Sequence, residues 1–371
     1  MKGNKHTLDV LSAFTKDSTI QQAIDAVWKS GFGAQQFFQI SSHILELIRN
    51  NFIVPLHADE QPLGIHPSHF DSYPVHLRML DDDARVLAFQ RAIRKFVRSD
   101  DVVLEIGVGT GILSATAALA GAKKVIAIEP TRIADVARKV FDANGVGERV
   151  DIVPGESTKV DITEKADVLV AEVIGNHALG EGVLAITRDA VSRFLKPDAR
   201  LIPSRIRLHA LPVTIPQDVM ESIFITGSMV SRWTRDYGVD LSPLLASVET
   251  SDQWFNIEPQ KATDWPRLAS AILLEEIDLK NITSLKVETS RAFTTDRDGE
   301  LNGVLLFFSL YLGDGEWLSV APGEAAEKNH WCANVWVADA SIAVAPGNTY
   351  QMDYSFSDFS RRSKIRIHAK Y

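Results

Sequence analysis

The sequence predicts an α/β protein in which a helical leader precedes a doubly wound parallel sheet and an antiparallel β domain follows it. Three observations predict this. Short β-rich runs alternate with helical stretches between residues 102 and 194, the first of those runs ends in clustered glycines, and beyond Pro203 the helical spacing gives way to strand-like alternation. The expected divisions are a helical region over 1–66, a nucleotide-type domain over 67–203 and a β domain over 204–371.

In the leader, Ala23, Ile24, Val27 and Trp28, then Phe37, Phe38, Ile40, Ile44, Leu45, Leu47 and Ile48, recur at helical spacing around a break at Gly31-Phe32-Gly33. Pro55, Pro62, Gly64 and Pro67 end it. Packing onto the main body is its expected role, with a lid or partner surface as the alternative. Residues 81–97 read as a helix with Val86, Leu87, Phe89, Ile93 and Phe96 on its apolar side. Strands over 102–106, 124–128, 150–153 and 167–171 then alternate with helices over 113–120, 133–144 and 182–194. After Pro197, Pro203 and Pro212, the segments 304–312, 331–337, 351–356 and 364–369 read as strands, and 219–245 as a partly helical insertion.

The 371 residues suffice for two cores, and the net charge of -9 argues against nonspecific nucleic-acid binding, which needs a basic face. That acidity suits a cationic substrate. One cysteine, Cys332, excludes an intramolecular disulfide and a cysteine-based metal cluster, so a reducing cytoplasm is the expected location and no metal is expected. The basic start Met1-Lys2-Gly3-Asn4-Lys5-His6 is not followed by an apolar run, so no signal peptide is indicated. No apolar stretch approaches the ~20 residues that span a bilayer, and no membrane association is expected.

The first strand ends in Leu104-Glu105-Ile106-Gly107-Val108-Gly109-Thr110-Gly111-Ile112, where residues without a Cβ let the backbone turn tightly and approach a ligand. A dinucleotide fingerprint would need a glycine at 112, and no Lys-Ser/Thr follows to make a phosphate loop. The second strand ends in Ile128-Glu129-Pro130, which places an acid where a ribose diol offers two O–H donors. Glycines and acid together describe an adenosine site without pyrophosphate, for which S-adenosyl-L-methionine is the candidate. The fourth strand runs into Glu172-Val173-Ile174-Gly175-Asn176-His177-Ala178-Leu179-Gly180-Glu181, two carboxylates where a substrate sits in an open α/β sheet. A guanidinium fits them, being planar, always charged and able to donate N–H bonds in a fork. Isolated glutamates more often pair with a distant arginine or face solvent, and it is the surrounding segments that favour the clamp.

Those segments, over residues 70–371, resemble the protein arginine methyltransferase family. The carriers are the 104–114 loop, Ile128-Glu129-Pro130, the Glu172/Glu181 loop, Phe70-Asp71-Ser72-Tyr73 with His76-Leu77-Arg78-Met79-Leu80-Asp81-Asp82-Asp83-Ala84-Arg85, and Asn329-His330-Trp331, which resembles the family's Thr-His-Trp. Trp233 followed by Tyr237-Gly238-Val239-Asp240-Leu241-Ser242 resembles its dimerisation arm, over about 214–248. The resemblance implies a Rossmann-like methyltransferase domain, a β-barrel-like domain and a homodimer. It implies that His76, Arg85, Glu105 and Gly107 line the methionine end of the cofactor, Arg85 pairing with its carboxylate, with Gly109, Gly111, Ser157 and Glu172 also contacting the cofactor, and that Glu129 takes the ribose. It further implies that Glu172 and Glu181 clamp the guanidinium, that Tyr73, Met79 and Trp331 border the substrate, and that His330 pairs with Asp82 as proton acceptor, with a carboxylate as competitor. S-adenosyl-L-homocysteine would be the product.

Some positions depart from the family. Its Glu-Trp-Met-Gly is Glu172-Val173-Ile174-Gly175, the aromatic before the second glutamate is Gly180, and its acid after the third strand is replaced by Thr158. Fewer aromatic walls favour free L-arginine or a small guanidine over peptidyl arginine. A small-molecule amine methyltransferase and a non-catalytic cofactor-binding scaffold are the remoter alternatives.

Overall fold

The structure is a computed structural model that describes residues 70, 73–246, 253–358 and 362–370. The chain divides into two compact units, Met1–His66 and Pro67–Tyr371, and the described residues belong to the second. The expected leader lies outside them.

Helix α1 spans Tyr73–Asp81 and α2 spans Asp83–Phe96. The helix expected over 81–97 starts later because Asp82 caps it, its Oδ1 accepting from the Arg85 backbone N–H at 3.1 Å. Ala88, Phe89, Ala92 and Ile93 bury the apolar stripe of α2.

Strands β1 (Val102–Ile106), β2 (Lys124–Glu129), β3 (Val150–Pro154), β4 (Ala166–Ala171) and β5 (Leu195–Ile202) form one sheet in the order β3-β2-β1-β4-β5. Every pairing in it is parallel. All five residues of β1 are buried, as a central parallel strand covered on both faces requires. Helices α3 (Ile112–Leu119), α4 (Ala134–Ala143) and α5 (Val183–Arg193) make the crossovers. The strand order reverses at β1, so the carboxyl ends of β1, β2 and β4 open on the crevice where such sheets bind ligands.

From Arg205 the chain is antiparallel. Strands β6 (Arg205–Val213), β7 (Gln253–Ile257), β8 (Ile272–Asp278), β10 (Gly299–Gly313) and β12 (Ala333–Val344) form a sheet ordered β7-β12-β10-β6-β8, with β11 (Glu316–Ser319) also on β10. A third sheet orders β14 (Arg362–Ala369), β13 (Thr349–Ser357) and β9 (Lys286–Thr294). The strand expected at 331 begins at Ala333, because Trp331 and Cys332 are held by the loop after β4. The insertion expected over 219–245 is three helices, α6 (Gln217–Ile223), α7 (Gly227–Tyr237) and α8 (Pro243–Ala246). Among the described residues no helix is long and apolar enough to cross a membrane.

Candidate active site

The glycine loop leaves β1 with Gly107, Gly109 and Gly111 at φ +82°, +54° and +88°, a region that L side chains rarely adopt. Their surroundings differ. A Cβ on Gly111 would lie 2.7 Å from Phe141 of α4, so this glycine serves helix packing, whereas one on Gly107 would lie 2.9 Å from Val173 in the double-glutamate loop. Gly109 sits under the His76 ring and donates its N–H to Glu129 Oε2 at 2.9 Å. Glu129 Oε1 accepts from the Thr131 N–H at 3.0 Å and the Thr131 hydroxyl at 2.7 Å. The acid at the end of β2 is therefore buried and aimed back at the glycine loop.

Arg85 ties α2 to the end of β4. Its Nη1 lies 2.6 Å from Glu172 Oε2, Nη2 donates to the Met79 carbonyl, and the guanidinium stands 5.5 Å from the centre of the Trp331 ring. Glu172 is only 11% exposed along its side chain, and burial raises its pKa to about 7, with Asp82 adding to the rise and Arg85 opposing it. Glu105, buried in β1 with the Ser114 hydroxyl donating to it, is pushed to about 8 by burial and by the charges of Glu129 and Glu172.

Asp82 also reaches the loop before β12, but its Oδ2 accepts from the main-chain N–H of His330 at 2.8 Å rather than from the imidazole. Burial, aided by Arg85, lowers the His330 pKa to about 4. Its ring is neutral near pH 7.

The double-glutamate loop folds back over itself. Glu181 lies against Gly175, where a Cβ would come within 3.0 Å of Glu181 Oε1, so the second acid packs on the loop that carries the first. Buried Trp331 donates from Nε1 to the Ile174 carbonyl at 2.7 Å, and Asn176 Oδ1 accepts from the Cys332 N–H at 2.9 Å. Arg85, Glu172, Asp82, Trp331, the backbone of His330 and the Met79 carbonyl thus form one connected group. His76, Gly109 and Glu129 form the adjoining one, with His76 Nε2 bonded to the Phe70 carbonyl at 2.7 Å. Ser157 is buried after β3, and its carbonyl accepts from Arg193 at 2.7 Å, while Thr158 is exposed. The Tyr73 side chain lies outside the described residues. The sequence reading did not single out Ser114, Thr131, Asn176, His177 or Tyr354. Asn176 and His177 carried a signal, as polar residues inside the quoted loop, but their partners are more than 150 residues away.

These residues fit S-adenosyl-L-methionine. Three buried carboxylates, Asp82, Glu105 and Glu129, and the nearly buried Glu172 line this region, where Arg85 contacts Glu172 and Asp82 and its buried Nε makes no hydrogen bond. A group carrying both a sulfonium and a carboxylate answers that excess of negative charge and that orphaned donor.

Two family models match the chain: Ribosomal protein L11 methyltransferase over residues 87–228 and the Arginine methyltransferase oligomerization subdomain over residues 220–371. An Arginine N(omega)-methyltransferase from Streptomyces achromogenes subsp. streptozoticus is 31% identical over 297 residues, covering 78% of each chain. The chain belongs to the protein arginine methyltransferase family. As a member it is an S-adenosylmethionine-dependent arginine N-methyltransferase. Protein arginine N-methyltransferase 1 of Dictyostelium discoideum is 27% identical, the match covering 81% of this chain and 88% of that one. The methyltransferase fold is shared with the Trypanosoma brucei PRMT1 enzyme-prozyme heterotetrameric complex with AdoHcy, at a TM-score of 0.67 and 22% identity over 81% of this chain and 94% of that one.

Proposed function

We propose that this arginine methyltransferase acts on free L-arginine or a small guanidine, in a reducing cytoplasm and as a homodimer through the arm of α6, α7 and α8. The observation that carries the substrate reading is Arg78. It is exposed, precedes Met79 on α1, and its side chain makes no hydrogen bond or ion pair with another described residue, yet its charge acts on both His330 and Cys332. A cation with no partner among the described residues, one turn from Asp82 and acting on His330, suits the carboxylate of a free amino acid, which a residue inside a peptide lacks. The Streptomyces relative, whose name specifies arginine, supports the same reading. Peptidyl arginine is the second reading, favoured by the Dictyostelium relative's name and by the chain's acidity.

S-adenosyl-L-methionine supplies an electrophilic methyl group on a sulfonium and leaves as S-adenosyl-L-homocysteine. The protein's part is positioning and charge. Arg85 occupies Oε2 of Glu172, which leaves Oε1 to accept from one guanidino nitrogen while Glu181 accepts from another. Two carboxylates drawing charge onto the bound nitrogens leave the attacking one more nucleophilic, and fixing its line of approach contributes up to ~7–11 kcal/mol. The guanidinium gives up one proton as it gains the methyl group. Glu172, at about 7, is a better acceptor than His330, at about 4.

Incubation with labelled cofactor and L-arginine, agmatine or a glycine-arginine-rich peptide, read by mass spectrometry, tests the proposal. Glu172→Gln and Glu181→Gln each abolish turnover and leave cofactor affinity nearly intact. Arg78→Ala raises KM for L-arginine about fivefold, the scale of one partly exposed ion pair, and leaves agmatine, which lacks the carboxylate, unchanged. Methylation of the peptide alone would sink the free-arginine reading.

A further inference from the structure

Glu172 and Glu181 are held by different parts of the fold. Glu172 follows β4 and is fixed by Arg85, whereas Glu181 lies in a loop containing Gly175, Gly180 and Gly182, where the Gly180 N–H donates to the His177 carbonyl at 2.8 Å and the Gly182 N–H to the Leu179 carbonyl at 3.2 Å. Tertiary contacts flank this turn on both sides of Glu181. Four residues before it, His177 Nε2 lies 2.9 Å from Tyr354 Oη on β13 and 2.8 Å from Ser363 Oγ on β14, and its ring stacks on Phe356 at 4.6 Å. Four residues after it, the Ala185 N–H in the first turn of α5 donates to Asp358 Oδ2 at 3.2 Å. The N-terminus of α5 has no side-chain cap of its own, since Gly182 stands at that position, so buried Asp358 supplies that anchor from beyond the end of β13.

We infer that the β13–β14 hairpin is the element that sets the distance between the two glutamates, with His177 and Asp358 as its positioning residues. The inference rests on the guanidinium clamp proposed above. His177 Nδ1 accepts from the Leu179 N–H at 3.3 Å, which requires an unprotonated Nδ1 and leaves the proton on Nε2, shared between the two hydroxyls. Burial lowers its pKa to about 4, so this neutral form persists at physiological pH. One acid then moves with the parallel sheet and the other with the third sheet, and the clamp is correct only while the two are in register.

The test is His177→Phe, which keeps a ring against Phe356 and removes the hydrogen bonds, together with Tyr354→Phe, which removes one hydroxyl. Both are expected to lower kcat 10- to 100-fold and weaken guanidine affinity while leaving the cofactor Kd within twofold, because a shift of about 1 Å at a reacting centre has that scale. In a Glu181→Gln background, His177→Phe changes guanidine affinity no further, since the side chain it positions is already lost. Wild-type kcat and guanidine affinity in both variants, with Glu181→Gln inactive, would overturn the inference and spare the clamp. An equal loss in the Glu181→Gln background would also overturn it, by showing that the contacts serve only the fold. Full activity of Glu181→Gln would remove the clamp and the inference together. Should His177→Phe not fold, Tyr354→Phe carries the same comparison.

Discussion

Under the proposed clamp, the raised pKa of Glu172 makes guanidine binding a proton-linked event. Burial raises its pKa from 4.5 to about 7, a cost of ionisation of about 3 kcal/mol that a bound cation offsets. Above pH 7 the carboxylate is already ionised and affinity is flat. Below it, each binding event must expel a proton, so the apparent Kd weakens about tenfold per pH unit down to the pKa of the liganded state. The assay is calorimetric titration of a guanidine substrate into enzyme saturated with S-adenosyl-L-homocysteine, whose sulfur carries no charge, between pH 5.5 and 8.5. Two buffers of different ionisation enthalpy count the protons. Release of nearly one proton at pH 6 is expected, with Glu172→Gln binding weakly and without pH dependence. A wild-type Kd that is constant from pH 5.5 to 8 would refute the reasoning, because a carboxylate with an ordinary pKa shows no such slope in that range.

Glu105 carries the same sign into stability. Its native pKa near 8 exceeds the 4.5 of an ordinary glutamate, so between those values the folded protein holds a proton that the unfolded chain does not. The cofactor-free protein therefore loses stability as pH rises from 5 to 8, and Glu105→Gln flattens the Tm-versus-pH curve; an unchanged slope would contradict it. Trp331→Phe keeps an apolar ring but strands the Ile174 carbonyl now 2.7 Å from the indole nitrogen. A buried acceptor left unpaired costs about 1–3 kcal/mol. Urea titration should show a lower midpoint with unchanged slope, accompanied by a fall in kcat as the double-glutamate loop loosens.

The parallel sheet was legible because its information is local. Buried runs such as 102–106 and 166–171, the glycines that end the first, and the acids that end the second and fourth each announce themselves within about ten residues. Helix boundaries were less so. Asp82 in a run of three aspartates reads as helix surface until its bonds to Arg85 and His330 identify it as a cap and a bridge. The strands β7, β8 and β9, which pair with partners tens of residues away, did not stand out, because period-two alternation over a half-exposed surface is a weak signal.

Residue identity by itself pointed to the parts a methyl transfer needs: glycines and an acid for an adenosine, and two carboxylates for a delocalised cation. Tertiary structure decided their charge states and geometry. Whether a glutamate titrates near 4.5 or near 7 depends on how much water the surrounding chain removes, and no spacing in the sequence encodes that exclusion. For the same reason the partners of Glu172 and the anchors around Glu181, drawn from α2, β13 and β14, became visible only once segments some 90 to 190 residues apart were packed together.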